Sequence, residues 1–165
     1  LDSLRESYER ERQPECLQET TGYFAQMTGG RYRRVWTPLG DDVLYVDDAE
    51  GRSHPVERLS RGTREQLFLA LRLALVELYA RRGTILPMVL DDVLVNFDAA
   101  RSKAAATVLR DFAERGHQLL VFTCHDHILK LFKSLKVSVA ELPSHAARGT
   151  VSGRLSVRSQ HGDHV

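Results

Sequence analysis

The chain has 165 residues, which suits one domain and is enough to bury a core without staples. Its 23 lysines and arginines against 22 aspartates and glutamates exclude a global basic field, so any contact with DNA needs a local patch or other parts of a larger protein. Two cysteines, Cys16 and Cys124, exclude a disulfide framework and make a reducing cytoplasm the default location. Arg72 and Glu77 interrupt the most apolar stretch, Leu67 to Ala80, and exclude it as a membrane span. There is no secretory leader pattern, and a first residue of Leu1 fits a piece of a longer protein.

Leu1 to Arg12 is charged, with Leu1, Leu4 and Tyr8 at helical spacing. That narrow stripe suits the end of a coiled coil or a packed amphipathic helix. Pro14 is tolerated in a first turn, so a second helix starts there, with Leu17, Phe24 and Met27 on its apolar side and Gly29-Gly30 as its stop. Arg31 to Trp36 and Val43 to Val46, bounded by turn residues, predict a small antiparallel meander. Arg31, Arg33 and Arg34 are read there as a solvated strand face ahead of a DNA-phosphate contact.

Thr63 to Arg82 reads as a long apolar helix with Leu67, Leu71, Leu75 and Leu78 in the core. Ile85 to Leu90 is a continuous apolar run, the pattern of a central strand buried on both faces. Asp98 to Arg115 predicts a helix ending at Gly116, Gln118 to Thr123 a second apolar strand, and Asp126 to Leu135 a helix. Val137 to Leu142 and Thr150 to Val157 are expected late strands, followed by a polar tail with His161 and His164. Helix and strand alternate, which predicts an α/β layer with a largely parallel sheet flanked by helices.

Four stretches carry candidate chemistry. Leu59-Ser60-Arg61-Gly62-Thr63 opens the long helix, where a hydroxyl, free backbone N–H groups and the helix dipole favour an anion; a plain N-cap at Ser60 explains the same residues. Ile85 to Asp92 is an apolar strand ending in two acids, at the sheet edge where α/β proteins place ligands. Asp91 and Asp92 repel each other without a cation and suit Mg²⁺, with solvated turn aspartates as the plainer reading. Val95-Asn96-Phe97-Asp98 precedes a helix that Asp98 is suited to cap. Thr123-Cys124-His125-Asp126-His127 follows the second strand and puts His125 in reach of a phosphate or proton, or simply in a polar loop.

In this order and at this spacing the four stretches resemble the C-terminal lobe of an ABC-type ATPase. The kin are SMC proteins, the RecN and RecF repair ATPases and the double-strand-break repair ATPases with long coiled coils. The likeness is strongest to the bacterial YhaN-like coiled-coil AAA-type proteins. Leu59 to Thr63 looks like the signature motif, Ile85 to Asp92 like Walker B with the catalytic acid, Asn96-Phe97-Asp98 like the D-loop and His125 like the switch histidine. Three features depart from the family: Arg61 replaces a signature glycine, Asp92 stands where glutamate is usual, and no G-x-x-x-x-G-K-S/T P-loop occurs.

The resemblance implies a P-loop NTPase head whose N-terminal lobe lies elsewhere. Residues 1–28 would be the returning coiled-coil arm, 29–158 the C-terminal head lobe and 159–165 a tail. It further implies ATP and Mg²⁺ as cofactors, with Asp91 on the metal, Asp92 and His125 catalytic, and Ser60, Arg61, Gly62 and Asp98 against ATP held by a second head. Expected partners are the P-loop lobe, a second copy of the head and, through the whole protein, DNA. Two other readings compete: a metal-dependent hydrolase built on Asp91, Asp92, His125 and His127 with Cys124 nearby, and a degenerate scaffold head without turnover.

Overall fold

The computed structural model describes residues 15–38 and 43–142. The stripe from Leu1 to Arg12, the strand expected at Thr150 to Val157 and the histidine-bearing tail lie outside these residues. Helix α1 (Glu15–Met27) buries Leu17, Thr20, Tyr23, Phe24 and Met27. It ends as the glycine pair predicts. Gly29 and Gly30 take φ of +60° and +78°, and the Gly30 amide donates to Ala25 O at 2.8 Å, closing the orphan carbonyls of the last turn. Thr21 Oγ1 accepts from the Val35 amide at 2.9 Å, so the helix is stitched to the strand that follows.

The meander comprises β1 (Tyr32–Trp36), β2 (Tyr45–Asp48) and β3 (Ser53–Pro55), paired antiparallel in chain order. Val35 faces Val46 and Val46 faces His54 in register, with a bulge between Tyr32 and Arg34. Val35 and Val46 are buried under α1, while the arginines divide: Arg34 pairs with Asp47 at 3.6 Å and lies over Trp36, and Arg33 is exposed.

Asp48 organises the β2–β3 turn. Its carboxylate accepts from the Glu50 and Arg52 amides at 3.0 and 2.9 Å, from Arg52 Nε at 2.8 Å, and pairs with His54 Nε2 at 2.8 Å. The His54 hydrogen bond, then Arg52 and its amide, hold the Asp48 carboxyl well below the usual carboxylate range. A depressed folded-state pKa means that the stabilisation is complete above the unfolded value of about 4 and is lost as pH falls through the lower folded value. Asp48→Asn is therefore expected to lower the thermal midpoint at neutral pH and to flatten its fall below about pH 4. Melting curves from pH 7 to 2 check this, and an unchanged neutral midpoint would count against the role of Asp48.

Helix α2 (Arg61–Arg81) buries Gly62, Thr63, Gln66, Leu67, Leu69, Ala70, Leu73 and Ala74, packing along α1, with Gly62 at its start meeting Arg101 of α3 (Ala99–Glu114). Its other side carries Phe68, Leu75 and Tyr79, which are 46%, 42% and 49% exposed. Leu75 is thus outside the core, contrary to the sequence expectation. Between α2 and α3, β4 (Met88–Asp91) pairs in parallel with β5 (Leu119–Phe122), Leu90 opposite Val121 and Asp91 opposite Phe122. Helix α4 (Asp126–Ser134) follows and buries Ile128 and Phe132.

The α/β class and the helix-flanked parallel strands agree with the sequence. Two-sided burial of the strands does not hold among the described residues. Met88 and Leu90 face the core, yet Val89 is 59% exposed, and Leu120 and Phe122 are similarly open. Ile85 and Leu86 precede the ladder, exposed, and residues 137–142 run without ladder pairing. A run of apolar residues announces burial but not which chain supplies the cover.

Candidate functional site

Two clusters of loop residues emerge, each built on an element end. The first joins the start of α2 to the start of α3. Ser60 caps α2: its Oγ accepts from the Thr63 amide at 3.3 Å and shares a 2.8 Å hydrogen bond with Thr63 Oγ1. Arg61 points outward, with Nε 3.0 Å from Glu65 Oε1. The same Glu65 oxygen accepts from Asn96 Nδ2 at 3.2 Å, clipping the two loops together. Asp98 caps α3 through the Arg101 amide at 2.8 Å and lies 3.4 Å from Arg101 Nε.

Gly62 is buried beneath the Arg101 guanidinium. A Cβ there would stand 2.4 Å from Arg101 Nη1 and 4.0 Å from Asn96 O. Glycine at this position thus lets the α3 arginine lie against the α2 N-terminus. The result is an exposed corner with a capping hydroxyl, a helix dipole and two arginines, the chemistry of an anion site.

The second cluster sits at the C-terminal end of the parallel pair. Asp91 is the last residue of β4 and is exposed. Asp92 turns the chain with φ of +45°, a conformation that aspartate tolerates better than most residues. Its amide donates to Phe122 O at 3.0 Å. Its carboxylate turns to the loop after β5, accepting from the Cys124 amide at 3.4 Å and from Cys124 Sγ at 3.6 Å. A hydrogen bond from the Thr123 side chain, then those from Cys124 and the charge of the nearby His125, lower the Asp92 pKa, so this carboxylate stays ionised. His125 caps α4, and its amide donates to Thr123 Oγ1 at 3.2 Å.

No protein-family model matches the chain. The YhaN protein of Bacillus subtilis (strain 168), itself uncharacterized, is 39% identical over 138 residues, covering 81% of this chain and 14% of that protein. The DNA double-strand break repair Rad50 ATPase of Sulfolobus acidocaldarius is 31% identical over 114 residues, covering 65% and 13%. Among solved structures, the SMC head domain of Thermotoga maritima superposes with a TM-score of 0.55 at 17% identity, over 79% of this chain and 43% of that one. A structure from work on ATP-driven dimerization and DNA-stimulated activation of SMC ATPases gives 0.56 at 16% identity, over 79% and 76%.

This chain belongs to the family of the YhaN protein and has the fold of the SMC head domains. It spans about one seventh of the length of the two curated relatives it matches. In this head, the residues singled out from sequence fall into the two clusters just described. Ser60, Arg61, Gly62 and Asp98 share the first, and Asp91, Asp92 and His125 share the second. Asp92, Cys124 and His125 bring their donor atoms together, whereas Asp91 and His127 stand outside that group.

Sequence reasoning missed Glu65 and Arg101, and gave Asn96 and Thr123 no contact of their own. The spacing of Arg61 and Glu65, four apart on one helix, was a usable signal for their pairing. Nothing local announces that Glu65 reaches Asn96 or that Arg101 covers Gly62. Among the described residues no helix is long and apolar enough to cross a membrane.

Proposed function

We propose that this chain is the C-terminal half of an ATP-hydrolysing head, completed by a P-loop lobe from elsewhere in its parent protein and by a second copy of the head. The supporting observation is the bare face of the parallel pair. Val89, Leu120 and Phe122 lie open immediately beside the end that carries Asp91, Asp92 and His125. A parallel pair is stable when both faces are covered, so this surface calls for a partner layer. A P-loop lobe laid there would bring ATP to the acids, and this chain has no P-loop of its own.

In this reading the boundary between arm and lobe falls near Gly29-Gly30, with residues 1–28 as arm and 29–158 as lobe. ATP and Mg²⁺ are the cofactors. Asp91 would orient the Mg²⁺ shell, which supplies charge neutralisation on the phosphates. Asp92, held ionised, polarises the attacking water. His125 donates to the γ-phosphate, and Ser60, Arg61 and Gly62 present hydroxyl, guanidinium and backbone N–H groups to ATP on the opposing head. Asp98 sits at the seam between heads. Coiled-coil arms then carry the motion to DNA, in repair or chromosome maintenance in the cytoplasm.

The test is Mg²⁺-dependent ATP turnover by this chain mixed with the P-loop lobe of its parent. Turnover is expected to rise more than linearly with protein concentration. Ser60→Arg, which fills the anion corner with a long cation, is expected to reduce it by about 10²-fold or more, as loss of transition-state contacts does. Turnover unchanged by Ser60→Arg would overturn the signature assignment. ATP-driven dimerisation without phosphate release would identify a scaffold head instead.

A further inference from the structure

The second cluster offers one oxygen, one sulfur and one nitrogen donor, and magnesium has little use for the last two. The donor atoms of Asp92, Cys124 and His125 all lie within 4.8 Å of one another. Cys124 Sγ is 3.6 Å from Asp92 Oδ2. Across a tetrahedral zinc ion, with bonds of about 2.3 Å to sulfur and about 2.1 Å to oxygen, those two atoms stand about 3.6 Å apart. The pair already has the spacing that a bridging ion requires, and small side-chain rotations close the imidazole onto it.

We propose that Asp92, Cys124 and His125 form a site for one divalent cation of the zinc class, and that occupancy of this site excludes ATP hydrolysis by drawing Asp92 and His125 onto the ion. The metal site stands on its own geometry; the exclusion rests on the function proposed above.

Three features favour a built site over a chance meeting. The positive φ of Asp92 turns its carboxylate back toward the β5 loop, and the Asp92 amide bonded to Phe122 O fixes the two loops against each other. Cys124 is exposed and His125 half-buried, which leaves an entry path and a fourth position for water. Three protein ligands plus water is the arrangement of open zinc sites. Thiolate and imidazole select a borderline ion over hard Mg²⁺, so the same end of the sheet holds two sites of different chemistry, one at Asp91 and one here. Binding turns the Cys124 thiol into a thiolate. The proton now shared with Asp92 leaves to solvent, and no electron is transferred.

Cobalt(II) is the probe, titrated into the 165-residue chain under reducing conditions. The expected result is a thiolate-to-cobalt charge-transfer band that saturates at one ion per chain, is displaced by zinc and ignores excess magnesium. The band is expected to vanish in Cys124→Ser and to persist in His161→Ala/His164→Ala. A missing band, a band that survives Cys124→Ser, or one that depends on the tail histidines overturns the site. For the exclusion, turnover of the chain with its P-loop lobe is compared with and without zinc. The wild type is expected to lose roughly 10²-fold, the scale of a lost transition-state contact, while the ratio for Cys124→Ser stays near unity. Zinc bound as described but without effect on turnover overturns the exclusion and leaves the ATPase reading intact.

Discussion

Asp92→Asn is expected to lower ATP turnover of the assembled head by about 10²- to 10³-fold, the range for removing one electrostatic contact to the transition state, while the fold stays as it is. Asparagine tolerates the φ of +45° as well as aspartate does, so the backbone of the turn has no reason to move. Its carbonyl oxygen can still accept from the Cys124 amide. What disappears is the negative charge that the proposed mechanism sets beside the attacking water. The lowered pKa of Asp92 sharpens the expectation, because a carboxylate held ionised is a weak proton acceptor and a strong orienting dipole for water. The activity it supports should persist as pH falls to the ordinary carboxylate range and be lost only below it, because the folded pKa lies lower still. Steady-state turnover, beside a thermal midpoint matching wild type, checks this. Wild-type turnover in the asparagine variant would remove Asp92 from the mechanism.

Phe112→Ala is expected to cost about 3–5 kcal/mol of folding free energy. Phe112 is fully buried on α3 and meets Tyr23 of α1 edge-on at 5.9 Å, stacks on His117 at 4.0 Å and lies 5.4 Å beneath the Arg115 guanidinium. Arg115 Nη2 in turn donates to the Tyr23 hydroxyl at 2.7 Å, and that hydroxyl donates to Glu77 of α2. Burial opposes ionisation of Glu77, but the hydrogen bonds from Tyr23 and Arg81 and the charge of Arg115 keep its carboxyl below its ordinary range. Emptying the ring's place removes packing and loosens this three-helix clasp together. Domains of this size have total stabilities of about 5–15 kcal/mol, so the variant should unfold at much lower urea. Phe112→Leu, which keeps most of the volume, should cost less than about 1.5 kcal/mol, and equal losses in the two variants would rule out cavity formation as the cause.

The helices were legible because their ends carry chemical marks. Gly29-Gly30, Ser60, Asp98 and Gly116 each sit where the chain starts or stops a helix, and caps are local physics. The candidate site was legible for the same reason, since Asp91, Asp92 and His125 follow strands whose apolar runs stand out. Burial was misread at Leu75 and Val89. Their sequence neighbourhood is that of a core, but no described residue covers them. The Cys124–Asp92 pairing and the Arg101–Gly62 contact were out of reach, because each joins loops about 30 to 40 residues apart through backbone geometry that no periodicity encodes.

The buried bond from Gln66 Nε2 to the Met27 carbonyl, 2.9 Å long, has a mechanical meaning. It links the last turn of α1 to the second turn of α2, just beyond Ser60 and Gly62. A twist of α1 about its axis must either carry α2 with it or strand an amide and a carbonyl away from water, at about 1–3 kcal/mol. At this joint the helix pair behaves as a keyed shaft: torque entering at residue 15 arrives at residue 60 before the key shears.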